Sequence, residues 1–120
     1  DMADARYKSK KSLIDSAKDY VHRNYRSMDL GLDDTCKELG VSNSYFSSLF
    51  KKETGSSFVE YLTDYRMDKA ARMLVETDDK SYVIAQNVGY ADPNYFSYVF
   101  KRKYGVSPSR YRTEYEKNKV

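Results

Sequence analysis

One stretch of this chain occurs twice, and the repeat limits the possible folds more than any other feature of the sequence. Residues 45–61 align with residues 95–111 at an offset of 50 positions, with eight identities in 17 positions. Solenoid arrays need about three or more stacked copies to be stable. Two copies instead predict two examples of one small supersecondary unit. The identical pairs are Tyr45/Tyr95, Phe46/Phe96, Ser47/Ser97, Phe50/Phe100, Lys51/Lys101, Gly55/Gly105, Ser57/Ser107 and Tyr61/Tyr111.

Each copy carries the signals of a short helix, a tight turn and a second helix. Ser42 and Asp92 are good N-caps for the second helix, and Gly55 and Gly105 are placed to end it in a left-handed conformation. A generic helical hairpin would give a similar pattern in one copy, so it is the matched pair that favours helix-turn-helix units. The shorter first helices are predicted at about 33–39 and 82–88, and the second helices at about 43–53 and 93–103.

Three further helical segments complete an all-α prediction of about seven helices, with no convincing strand. They cover residues 11–26, a long helix over 57–76 that begins with a capping box, and a short helix from Ser107 onward. We therefore divide the chain into a linker from an absent N-terminal domain (1–10), a first helix-turn-helix subdomain (11–56), a linker helix (57–77) and a second helix-turn-helix subdomain (78–120).

The helix between the two repeats has a length that suits double-stranded DNA. About 19 residues span about 28 Å at 1.5 Å per residue, and major grooves on one face of B-DNA recur about 34 Å apart. The spacing predicts that the two second helices, the candidate recognition helices, enter adjacent major grooves without a dimer.

The helical period also identifies the side chains that face away from each buried stripe. Asn suits bidentate pairing with adenine, Ser can pair with several base edges, and Lys and Arg suit phosphates. The candidate base-contacting residues are Asn43, Ser44, Ser47 and Ser48 on the first recognition helix and Asn94, Ser97 and Tyr98 on the second. The candidate DNA-backbone contacts are Lys51, Tyr95, Lys101, Arg102, Arg110 and Arg112.

Charge is distributed unevenly along the chain. The net charge is +3, but residues 93–113 hold five basic side chains and no acidic one, whereas residues 1–42 hold eight of each. A local positive surface is typical of a polyanion-binding protein, although a solvated helix face would give the same count.

Composition excludes several other classes of site. With a single cysteine the chain can form no internal disulfide, and Cys36 with the lone His22 cannot form a zinc site. Cys36 aligns with Ala85 and is predicted to be a small buried residue, the alternative being a redox sensor, while His22 is predicted to be exposed. No apolar run is long enough to span a bilayer, and no signal peptide is evident. We expect a cytoplasmic protein without a cofactor, and the initial Asp1 suggests a piece of a longer chain.

Two runs of sequence, YFSSLFKKETGSSFVEYLTDYR and IAQNVGYADPNYFSYVFKRKYGVSPSRYR, resemble the DNA-binding domain of AraC/XylS-type bacterial transcription regulators. The resemblance covers about residues 11–115 and is strongest to domains at the C-terminus of two-component response regulators. It implies two helix-turn-helix subdomains, promoter DNA and RNA polymerase as partners, usually activation of transcription, and an absent N-terminal receiver or effector domain. The base-contacting and phosphate-contacting positions that it implies coincide with outward-facing residues given above.

The sequence departs from the family pattern at two places. Thr35 and Cys36 stand where the family usually has an aliphatic residue followed by Ala, which predicts slightly looser packing of the first subdomain. The serine-rich first recognition helix predicts weaker base discrimination there than in the second subdomain.

Three alternative functions remain open at this stage. A protein-interaction module could dock an acidic partner through its basic end, an RNA-binding domain would need aromatic stacking platforms that are not evident, and an enzyme would need a clustered catalytic site. The repeat with groove-compatible spacing favours DNA over all three.

Overall fold

The computed structural model describes residues 9–119, which form seven α-helices and no strand, so the all-α prediction is confirmed. Most of the predicted N-terminal linker, residues 1–8, lies outside this range. The helices are α1 (Lys10–Asn24), α2 (Leu32–Leu39), α3 (Asn43–Thr54), α4 (Phe58–Glu76), α5 (Ser81–Asn87), α6 (Pro93–Tyr104) and α7 (Pro108–Asn118).

The predicted caps define the two recognition helices, α3 and α6. The side chains of Ser42 and Asp92 each accept a backbone N–H from the first turn of the helix they precede. Gly55 and Gly105 end the helices with φ of 85° and 81°, in the left-handed region that glycine enters without steric cost. Both predictions are confirmed, and each observed helix extends one residue beyond its predicted end.

The described residues form two compact units. Unit 1 comprises residues 9–24 together with Asp29–Leu62, and unit 2 comprises Tyr25–Met28 together with residues 63–119. Helix α4 contributes its first residues to unit 1 and the remainder to unit 2. The division into two subdomains with a separate linker helix stays a prediction.

Unit 1 is built on a cluster of three phenylalanine rings. Phe46 and Phe50 of α3 lie 5.4 and 5.6 Å, between ring centroids, from Phe58 at the start of α4, both in edge-to-face geometry. Cys36 is 2% exposed, as predicted for a small buried residue. The buried Thr35 hydroxyl donates to the Gly31 carbonyl at 2.8 Å, which satisfies its hydrogen-bonding need. The apolar face of α1 contributes four buried residues to the core of unit 1: Leu13, Ile14, Ala17 and Val21.

Unit 2 repeats the same aromatic arrangement. Phe100 packs edge-on against Tyr111 at 5.4 Å, just as Phe50 packs edge-on against Tyr61 at 5.6 Å in unit 1. The sequence repeat therefore corresponds to a repeat of side-chain packing. The buried cluster of unit 2 consists of Met67, Ala70, Ala71, Leu74, Ile84, Ala85, Val88, Phe96 and Phe100.

A buried arginine that the sequence analysis missed anchors the segment Tyr25–Met28 within unit 2. Arg66 is 7% exposed, and its guanidinium donates to the carbonyl oxygens of Tyr25 at 3.0 Å and Ser27 at 2.7 Å. The same group lies 5.5 Å from the ring centroid of Tyr90. Burial lowers the pKa of Arg66. Its charge is thus balanced by carbonyl dipoles and an aromatic face.

Candidate nucleic-acid interface

The recognition helix of unit 1 exposes a small polar face. Asn43, Ser44, Ser48 and Lys51 are exposed, whereas Ser47 is half-buried. The Asn43 side-chain amide donates to the carboxylate of Asp33 on α2. A bidentate contact of Asn43 with adenine would require this bond to open, which supports the expectation of weak base discrimination in unit 1.

An open groove lies beside α3 in unit 1. Tyr45, 50% exposed, lines it together with Ser44, Ser48 and Leu49 of the same helix. Lys10 of α1 and Lys52 add two cationic groups to the lining. Sequence reasoning selected neither lysine, and Lys10 could not be placed from the sequence because only the packing of α1 against α3 brings it to this groove.

The recognition helix of unit 2 exposes an aromatic face instead. Asn94, Tyr95 and Tyr98 are exposed, while Ser97 is half-buried like its counterpart Ser47. The rings of Tyr95 and Tyr98 stack at 6.3 Å with 26° between their planes. Four residues beyond Tyr98, the Arg102 guanidinium donates to the Tyr98 hydroxyl at 3.1 Å. The sequence-selected residues of α6 are thus brought together on one helix face.

Within the basic stretch at residues 93–113, one of the five cations is neutralised by acidic residues of α4. The Lys103 ammonium lies 2.8 Å from the Asp68 carboxylate and 3.6 Å from that of Asp64. Tyr104 also donates to Asp68, at 2.9 Å. Partial burial acts to raise the pKa of Asp68, but the hydrogen bonds from Lys103 and Tyr104 and the lysine charge outweigh it and hold that pKa below its usual range.

Two further cations of this stretch are also engaged within unit 2. Arg110 pairs with Glu114 at 3.1 Å on the surface of α7. Arg112 donates to the carbonyl oxygens of Leu74 at 2.8 Å and Thr77 at 3.0 Å, where it caps the C-terminal end of α4. These contacts give Arg112 a structural function. The predicted backbone contacts of Arg110 and Arg112 with DNA are not tested by them.

Fewer than five cations of residues 93–113 are therefore left without an acidic or carbonyl partner in unit 2. Lys101 and Arg102 are exposed and form no ion pair with any residue between 9 and 119. Both lie in the last turn of α6, and Lys51 and Lys52 occupy the equivalent turn of α3. Each recognition helix thus combines a polar or aromatic outer face with two cations in its last turn that form no ion pair with residues 9–119, and the third cation of this turn in α6, Lys103, pairs with Asp68.

A family model described as a helix-turn-helix domain matches residues 35–114, two thirds of the chain, and the match includes both recognition helices. The chain belongs to the AraC-type helix-turn-helix domains. This family consists of DNA-binding transcription regulators rather than enzymes, and the family resemblance seen in the sequence is confirmed.

Solved structures of other AraC-type domains have the same fold. The C-terminal domain of AraT, a response regulator from Geobacillus stearothermophilus, is 39% identical, with a TM-score of 0.83 over 85% of this chain and 84% of that one. The DNA-binding domain of AdpA, a global transcriptional factor solved in complex with a target DNA, has a TM-score of 0.83 over 88% of this chain and 95% of that one. Because the two sequences are only 22% identical, this comparison shows that the two domains share a fold and nothing more.

Relatives of this AraC-type domain include complete regulators that are much longer. The lactose operon transcription activator of Staphylococcus xylosus is 36% identical over 67% of this chain and 28% of its own length. The chain spans between 11% and 30% of the length of the first three curated relatives. No helix among residues 9–119 is both long and apolar enough to cross a membrane.

Proposed function

We propose that this AraC-type domain binds promoter DNA sequence-specifically, with α3 and α6 in adjacent major grooves, and that it activates bacterial transcription. The observation that carries the proposal is the duplicated unit: two recognition helices of the same design, each with an exposed outer face and, in its last turn, two cations that form no ion pair among the described residues. A protein-docking module would not need two copies of such a helix.

The structure supports different contributions from the two helices. Asn94 and Tyr98 on α6 are exposed and are proposed to contact bases, with the half-buried Ser97 beside them. Helix α3 offers small serines and an Asn43 that is already bonded to Asp33. It is therefore proposed to contribute more to affinity than to sequence discrimination. Phosphate contacts are proposed for the helix-terminal cations and for Tyr95.

The remaining parts of the proposal concern the whole protein. Because the chain spans less than a third of the curated relatives named above, and because AraT is a response regulator, we propose an N-terminal receiver or effector domain that supplies the signal. Activation would involve RNA polymerase, and such a regulator would act in the cytoplasm.

The experiment is selection from a randomised 30-base-pair duplex pool, followed by fluorescence-anisotropy titration of the enriched duplex at several salt concentrations. The proposal predicts a bipartite motif with half-sites about 10 base pairs apart. Asn94→Ala and Tyr98→Ala should each lower specific affinity without unfolding the domain, since both side chains are exposed. Each lost base contact should cost about 1–3 kcal/mol.

Two outcomes would contradict the proposal. Unchanged specificity in both variants would show that α6 does not contact the bases as assigned. Salt-insensitive binding or no binding to any duplex would favour the alternative function, a helical module that docks an acidic protein partner.

A further inference from the structure

The outer face of α6 carries an ordered aromatic surface. Tyr98 is 56% exposed and Tyr95 is 55% exposed, and each ring contacts neighbouring side chains. Tyr95 packs between Tyr98 at 6.3 Å and the half-buried Tyr90 at 6.0 Å. The Arg102 guanidinium lies 5.8 Å from the Tyr98 ring centroid while it donates to the Tyr98 hydroxyl. These contacts reduce the number of side-chain orientations that the two exposed rings would lose on binding.

Unit 1 keeps only one ring of this surface, since Tyr45 occupies the place of Tyr95 and is 50% exposed, while the other two tyrosines are replaced. Ser48 occupies the place of Tyr98 in the repeat. Val41 occupies the place of Tyr90, because the two residues make the same backbone hydrogen bond, Val41 N–H to Cys36 O at 3.1 Å and Tyr90 N–H to Ala85 O at 2.9 Å. The two recognition helices therefore present different chemistry to DNA.

The major groove contains one apolar group with which an aromatic face can pack, the C5-methyl of thymine. We propose that the Tyr98 ring, packed against Tyr95, recognises thymine through its C5-methyl group, so that the half-site bound by unit 2 is specified by methyl contacts and that bound by unit 1 is not. This inference rests on the proposed function and adds to it the chemical group that Tyr98 distinguishes. Asn94, one turn before Tyr98 on the same row of α6, would contact the neighbouring base pair.

The test replaces each thymine of the selected duplex, one at a time, with deoxyuridine, which lacks only the methyl group. Dissociation constants are measured by anisotropy for the native domain, for Tyr98→Phe and for Tyr98→Ser. Tyr98→Phe keeps the ring, and Tyr98→Ser installs the residue that unit 1 carries at this position. Because Tyr98 is exposed, both variants should fold, and circular dichroism with thermal melting checks this.

The inference predicts an increase in Kd of about fourfold for each contacted methyl that is removed. The increase should be confined to one half-site, should persist in Tyr98→Phe and should vanish in Tyr98→Ser. A half-site without thymine, no effect of uracil, or an equal effect in Tyr98→Ser would overturn the inference while leaving the proposed function intact. Failure to select any specific duplex would instead overturn the proposed function, and the inference with it.

Discussion

At the scale of single residues, Gly89 is the glycine whose surroundings leave no room for a side chain. Its φ is +93°, and a Cβ atom built there would lie 2.7 Å from the Tyr25 carbonyl oxygen and 2.8 Å from the guanidinium carbon of Arg66. Arg66 cannot move aside without breaking its two bonds to backbone carbonyls. Gly89 therefore forms part of the enclosure of the buried arginine.

We expect Gly89→Ala to destabilise unit 2 by roughly 2–5 kcal/mol, from left-handed strain together with overpacking. Gly105→Ala is the matched control, because Gly105 has a similar φ of +81° but no atom within 4 Å of its Cβ position. It should cost only about 1–2 kcal/mol. Urea unfolding of both variants measures the difference, and equal losses would contradict the account of the Arg66 enclosure.

Sequence reasoning correctly predicted the burial of residues whose neighbours are close in the chain. It failed for residues whose burial depends on contacts with distant parts of the chain. Cys36 was correctly expected to be buried, because its alignment with Ala85 shows a position where only a small side chain fits. Arg66 was missed because a charged residue on α4 is normally exposed, and its carbonyl partners lie 39 and 41 positions earlier in the chain. Half-burial of Ser47 and Ser97 likewise depends on packing that a helical wheel does not show.

At the scale of helices, the ends of α4 and α6 show which basic residues stabilise the fold. Arg112 caps carbonyl groups at the end of α4, and Lys103 binds acidic groups on the same helix. Lys101 and Arg102 of the recognition helix form no ion pair with the described residues, and they are the cations that we propose to contact phosphate. The tertiary contacts are therefore needed to tell which basic residues of this stretch stabilise the fold and which face solvent.

We expect Arg112→Ala to lower the free energy of unfolding by about 1–3 kcal/mol, because it leaves two helix-terminal carbonyl groups without their charged donor. Under conditions where the variant is folded, the slope of log K against log salt should be unchanged. Lys101→Ala is the comparison: stability should be unchanged and the salt slope should fall by about one. A reduced salt slope in Arg112→Ala would show instead that Arg112 contacts phosphate.

The contact between α4 and α6 should also depend on pH. The folded pKa of Asp68 is lowered, so its stabilising contribution is present above the unfolded pKa of about 3.9 and is lost as pH falls through the folded value. Asp68→Asn should therefore be less stable than the native domain at pH 7, by less than about 1 kcal/mol because the Asp68 side chain is largely exposed to solvent. Unfolding free energies measured between pH 2 and 7 should converge at the acidic end, and a constant difference would contradict this assignment.

At the scale of the whole molecule, the duplication in the sequence predicted two helix-turn-helix units, and the structure repeats their caps and aromatic pairs. The same duplication did not predict that the short segment Tyr25–Met28 would belong to unit 2. That assignment depends on the buried Arg66, which has no counterpart in the motif. The aromatic face of α6 was only partly foreseen, because Tyr98 was selected as a candidate but its stacking on Tyr95 was not.

We propose that a single chain places two recognition helices in neighbouring major grooves on the same face of DNA. The most direct test inserts 5 base pairs between the two selected half-sites, which rotates one half-site by about half a helical turn. The account predicts that affinity, measured by anisotropy, falls to that of a duplex carrying a single half-site. Unchanged affinity for the 5-base-pair insertion would contradict simultaneous binding of the two grooves.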